Sequence, residues 1–255
     1  MYDAPLRFAK WMDEHRHPDK KYNFIYLYHS RSDKHSVALC KFVVADLVEA
    51  CQALRNKASK GQVVCGFNLP YTAPSGKVKN LDFAIGTPPK GVSAVFEADQ
   101  RIGRVTELTE LQVSCEAKST MTEHSKSKPR MYDELSSSHE IIHQGRPEAI
   151  ATGIAVVNIA STFLSPLRQI SDTPTVTKHK QPTAAAGMVT HLRGLKIRDS
   201  TRGVGFEAFC TIVLDCDNVT CARLWTGLPA PQPGDIDHYV TYIDRVAHFY
   251  TERFG

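Results

Sequence analysis

The chain has 255 residues, 42% hydrophobic and 23% charged, with a formal net charge of +4. That is enough chain to bury the core of one large domain without staples, and the composition is ordinary for a soluble globular protein. The mildly basic balance permits a polyanionic partner without demanding one. No run of about eighteen apolar residues exists, so no membrane-spanning helix is expected. The opening MYDAPLRFAKWMDEH carries acids and has no apolar stretch, unlike a signal peptide. The seven cysteines form no CxxC pair. Cys40, Cys51, Cys115 and Cys210 lie within apolar runs and read as small buried thiols, while Cys216 and Cys221 lack a second pair to complete a zinc site. A reducing, cytoplasmic setting is expected.

The first clear element is a helix over 34–57. Val37, Cys40, Val43, Val44, Leu47, Val48, Cys51 and Leu54 recur at helical spacing, with Asp33 as N-cap and Gly61 just past the end. Short strands are expected over 63–67, 81–85, 94–98 and 105–118, separated by proline and glycine. A second helix is expected over 128–143, with Pro129 in its first turn, Gly145 and Pro147 ending it, and Met131, Leu135 and Ile142 on its apolar side. The run 149–159 reads as a buried strand. A polar, basic stretch over 172–205 follows, holding a short helix near 184–195. Residues 206–214 read as another buried strand. The rigid LPAPQPGD loop then leads to a last amphipathic helix capped by Asp235. This order predicts an α/β fold with a central mixed β-sheet flanked by helices.

The chemistry-bearing pattern lies in two strands. In LQVSCEAKS, alternation puts Glu116 and Lys118 on one face, opposite Val113, Cys115 and Ala117. In LDFAI, Leu81, Phe83 and Ile85 are expected on one face with Asp82 opposite. If the strands are neighbours in register, Asp82, Glu116 and Lys118 converge. Two carboxylates suit a hard cation such as Mg²⁺ (or Mn²⁺), and a lysine can orient water or steady a phosphate. Glu97 is a candidate third metal-binding acid. Lys126, Lys128 and Arg130 follow directly and would lie where a phosphate backbone runs. Within 172–205, Lys178, Lys180, Arg193, Lys196, Arg198 and Arg202 outnumber Asp172 and Asp199, so that stretch is either a DNA-contacting arm or a solvated loop.

The order LDFAIG, a gap, VSCEAKS and a basic helix resembles the PD-(D/E)xK nuclease superfamily, especially its restriction-endonuclease-like members. Leu81 stands where the motif has proline. The resemblance implies a restriction-endonuclease-like core over about 62–160 within a single domain 1–255. An N-terminal helical part (1–61) and a C-terminal part (161–255) carrying the basic insertion 172–205 would flank that core. It further implies a Mg²⁺-dependent endonuclease with Asp82, Glu116 and Lys118 catalytic and Asp82, Glu116 and Glu97 holding metal. Such an enzyme would be a homodimeric, restriction-type or defence enzyme acting on DNA in a prokaryotic or phage-associated cytoplasmic setting. Two alternatives stand beside it: a non-cutting nucleic-acid-binding protein on the same fold, and a metal hydrolase of another kind.

Overall fold

The computed structural model describes residues 2–19, 23–97, 101–170 and 173–255, with the side chains of 168–170 left aside. Ala98, Asp99 and Asp172 lie outside the described residues. In chain order the elements begin with α1 (Ala4–Glu14) and a small hairpin of β1 (His17–Asp19) and β2 (Phe24–Tyr26). Then come α2 (Lys34–Ala50), α3 (Gln52–Ser59), β3 (Val64–Thr72), β4 (Val78–Thr87), β5 (Glu110–Thr120), α4 (His124–Gly145) and β6 (Ile150–Asn158). A second hairpin, β7 (Thr162–Ile170) and β8 (Thr173–Lys178), precedes α5 (Thr183–Leu192), β9 (Ala208–Cys216), β10 (Ala222–Leu224) and α6 (Tyr239–Phe254).

The protein is an α/β fold built on one six-stranded mixed sheet, in the order β10-β9-β6-β5-β4-β3. The three strands β3, β4 and β5 form an antiparallel meander. β6 then pairs parallel with β5, and β9 parallel with β6. β6 is buried at every position, as expected of a central strand covered on both faces. Alternation splits its side chains between two cores. Ile150, Ile154 and Val156 join a cluster with α1, α2 and α6, whereas Ala151, Ala155 and Val157 join one with α4 and α5. No helix among the described residues is long and apolar enough to cross a membrane.

Several local expectations need correction. The helix expected over 34–57 breaks at Cys51, whose backbone is extended (φ −103°, ψ 105°) and whose thiol accepts the Leu54 N–H at 3.4 Å, so α3 starts afresh. Of the segment expected as a strand over 94–98, the described residues 94–97 form an isolated bridge, between Val95 and Arg104, and no strand. β5 starts at Glu110 and not at 105. α4 begins at His124, which puts Pro129 inside the helix and not in its first turn. His238, not Asp235, caps α6: its Nδ1 accepts the Val240 N–H at 3.3 Å. The stretch 172–205 is not one arm. α5 lies in it as part of the core, with Ala185, Met188, Val189 and Leu192 buried. Six cysteines are buried free thiols and Cys221 is partly exposed.

Candidate active site at the fork of two strands

β4 and β5 are neighbours, as the convergence of the acids requires. Their pairing runs from Thr87↔Glu110 to Phe83↔Cys115 and stops there. One step further Asp82 would face Glu116. Instead the Asp82 carboxylate enters the fork and its Oδ2 accepts the Ala117 backbone N–H at 2.8 Å. The face pattern of β4 changes at the same point. Phe83 and Ile85 pack towards α2, as expected, but Leu81 packs in the opposite core with Leu69 and Ala84. Opposite this change, on β3, Asn68 adopts a left-handed backbone (φ 52°).

Glu116 is 3% exposed and sits between two lysines. Lys118 Nζ is 2.5 Å from its Oε1 and 3.7 Å from Glu134 of α4. Lys79 Nζ, from the start of β4, is 3.2 Å from Oε2. That distance makes an ion pair but not an aligned hydrogen bond, so Oε2 is buried without a hydrogen-bond partner. Asp82 is pushed up from the usual 3.8 to about 6, first by burial, then by the repulsion of Glu116. The Ala117 N–H, Lys118 and Ser36 offset part of that. Burial works against the Lys118 charge, but Glu116, Asp82 and Glu134 outweigh it and raise its pKa. The fold thus brings Asp82, Glu116 and Lys118 into one electrostatic unit.

An open cleft of about 340 Å³ begins at this unit. Asp82, Ala117 and Lys118 form one end, with Arg130 and Glu134 of α4 beside them. Its other end lies among the C-terminal halves of β5, β6 and β9, where Ser119, Val156 and Leu214 line it. In open α/β sheets the crevice beyond the carboxyl ends of parallel strands is where ligands bind.

Glu97 does not join the site. Its carboxylate is held by Lys41 at 2.7 Å and Arg104 at 3.1 Å, which keep it below the usual range, and it does not line the cleft. Asp82 and Glu116 remain as the two carboxylates: Asp82 lines the cleft, while Glu116 is buried behind it, its Oε2 making no hydrogen bond but lying 3.2 Å from Lys79 Nζ. The described residues contain no group of three or more His, Cys, Asp or Glu side chains able to hold a metal. A pair of carboxylates still fits Mg²⁺, which commonly keeps several waters.

The expected phosphate contacts divide. Lys126 and Arg130 are highly exposed on α4, each near one acid of its own helix turn, Glu123 at 2.9 Å and Glu134 at 3.7 Å. Lys128 lies over α5 beside Gly187. Lys178, Lys180 and Lys196 are exposed. Arg193 instead ties α5 to Asp235 and Asp237 at 2.6 and 3.0 Å. Arg198 is buried, bonding Glu207 at 2.6 Å and the carbonyls of Pro147, Ala149 and Thr201. Arg198 is thus closed off from a phosphate by burial, whereas Arg193 is paired with both acids but 43% exposed in its side chain.

The sequence reading missed Lys79: strict alternation would put it with Phe83 and Ile85, away from Glu116, and only the face change between Leu81 and Phe83 brings it round. It also missed Tyr28, His35 and Ser36, which come from a loop and a helix start that carry no motif. Comparison with known proteins gives no match: no family model fits the sequence, and neither a curated protein nor a solved structure is similar to it.

Proposed function

We propose that the chain is a Mg²⁺-dependent endonuclease that hydrolyses DNA phosphodiester bonds. The observation that carries this reading is the meeting of Asp82, Glu116 and Lys118 at the β4–β5 fork, with Asp82 and Lys118 lining an open cleft. Asp82 and Glu116 would hold the cation, with Mn²⁺ as a substitute. When bound, the cation lowers the pKa of a coordinated water and offsets charge on the attacked phosphate. Lys118, already charged and held by Glu116, would donate to the attacked phosphate or to the attacking water. Arg130 and Lys126 would hold the strand by its phosphates, which sets register without reading bases. A restriction-type or defence role, a homodimer and a restriction-endonuclease-like core belong to the same proposal.

The test is nicking of supercoiled plasmid by purified protein in Mg²⁺. Cutting that is lost in EDTA and falls at least ~100-fold in Lys118→Ala supports the reading. One observation favours a second reading. Glu116 is neutralised on both sides, by Lys79 and Lys118, as in a site that binds phosphates without cutting them. Metal-independent DNA binding with no cutting in Mg²⁺ or Mn²⁺ would establish that second reading.

A further inference from the structure

The cleft is larger than phosphate chemistry requires, and its inner end is of a different character. Past Asp82 and Lys118 it is lined by Phe8, Met12, Leu39, Met121, Val156 and Leu214, all at most 5% exposed. Two flat rings flank this apolar end. Tyr28 and His35 lie 4.5 Å apart between centroids, tilted by 46°. The Tyr28 hydroxyl shares a 2.6 Å hydrogen bond with Ser119 Oγ, which pins that ring across the cleft wall. His35 bonds the Leu27 carbonyl through Nε2 at 3.0 Å, and burial lowers its pKa to about 4, so it is neutral and Nε2 carries the proton. Its Nδ1 is buried and makes no hydrogen bond. Ser30 and Ser32 also line the cleft.

We propose that this recess is a nucleobase pocket, taking one unpaired base of the strand whose phosphate lies at Lys118. The inference rests on the nucleic-acid reading of the site and narrows its substrate class to strands with an unstacked or extruded base. One end offers Lys118 and Arg130 to a phosphate, beside the acids Asp82 and Glu134; the other suits a flat, apolar group with polar edges for His35 and the serines. A nucleotide has that layout. A base still stacked in a duplex cannot enter a recess behind the phosphate site, so the base must leave the helix or start outside it. Its faces would then meet Tyr28 and apolar side chains, contacts that do not depend on base identity, while His35, packed between Tyr28 and His17, backs the Tyr28 ring.

The experiment measures binding in EDTA, by anisotropy, of three labelled hairpin DNAs: fully paired, with a one-base bulge, and with the same bulge abasic. Base–aromatic stacking predicts that the bulged base binds roughly 5- to 150-fold tighter than the abasic bulge. Two variants read the pocket. Ser119→Trp adds bulk from an exposed position, and Tyr28→Leu removes a ring. Each should collapse that ratio towards one, with folding checked by circular dichroism. Equal binding of bulged and abasic DNA by the unaltered protein overturns the pocket, as does a ratio unchanged in both variants. Free deoxynucleoside monophosphate serves as competitor. If it displaces a bound dye as well as the bulged DNA does, the strand assignment falls and a mononucleotide site replaces it. Plasmid cutting without base preference would sink the pocket and leave the nuclease reading standing. Base preference without cutting would do the reverse.

Discussion

The carboxylate of Asp82 holds the backbone N–H of Ala117 at 2.8 Å, just where β4 and β5 cease to pair. A side chain thus takes a donor that sheet pairing leaves free, and the two strands part to make room. Glu116 and Lys118 flank Ala117, so the bond that opens the fork also fixes the distance between the two acids.

This placement makes Asp82 a burden on the apo fold at neutral pH. Its pKa is raised from 3.8 to about 6, so the folded chain binds the proton more tightly than the unfolded one. Stability contributed by Asp82 is full below pH 4, falls as pH rises through 4 to 6, and is lost above that. Asp82→Asn keeps an oxygen for the Ala117 N–H and removes the charge. The variant should therefore be more stable than the parent by about 1–3 kcal/mol at pH 7.5, and equal to it near pH 3.5. Urea denaturation at both pH values checks this. A variant less stable at pH 7.5 would mean that the carboxylate is stabilised in place.

The same penalty should be relieved by a cation. Mg²⁺ at about tenfold above its dissociation constant should stabilise the parent by about 1.4 kcal/mol, seen as a higher midpoint in thermal melts at pH 7.5. At pH 5, where Asp82 is mostly protonated, the shift should shrink, and in Asp82→Asn it should vanish. Lys79→Met should move the effect the other way. Glu116 would keep Lys118 but lose its second cation, so Mg²⁺ should bind several-fold tighter. Calorimetric titration with Mg²⁺ alone measures this apart from any cutting.

Much of this was legible in the sequence, for a physical reason. β5 and β6 carry strong alternation or continuous apolar character, so their faces and burial follow from local pattern. Glu116 and Lys118 share a face for the same reason. Asp82 was a harder case. Its strand was recognised, but the face change between Leu81 and Phe83 arises from tertiary packing, and no local period announces it. Glu97 failed because charge and position in a sequence do not reveal that Lys41 and Arg104 are already its partners. The hairpin of β7 and β8 went unseen because β8 is half threonine, and in β7 the adjacent Phe163 and Leu164 and the proline at 166 break any period of two.

Arg198 illustrates how a basic stretch divides by burial. It is 3% exposed and, with Arg253 at 2.7 Å and His143 at 3.3 Å, surrounds Glu207, which is fully buried. Removing Arg198 leaves the buried Glu207 with one arginine in place of two, and strips the carbonyls of Pro147, Ala149 and Thr201 of their donor. Arg198→Ala should therefore destabilise the fold by about 3–5 kcal/mol. In denaturant melts this would appear as a large fall in midpoint. For the protein that stays folded, DNA affinity should be unchanged, which separates this arginine from the surface cations.

Lys126 and Lys180 supply the opposite case. Both are exposed, and the ion pair of Lys126 with Glu123 is a surface pair within one helix turn, worth little to the fold. Lys126→Ala and Lys180→Ala should leave denaturation midpoints within about 0.5 kcal/mol of the parent. If each contacts a phosphate, each should weaken DNA binding, and more so at low salt. The slope of log affinity against log salt should drop by about 0.9 for every phosphate contact removed. A variant with lower affinity and an unchanged slope would not be losing a phosphate contact. A slope unchanged in both variants would move the strand's path off the side of the molecule that carries α4 and the end of β8, and leave Arg130, at the cleft itself, as the first residue to test.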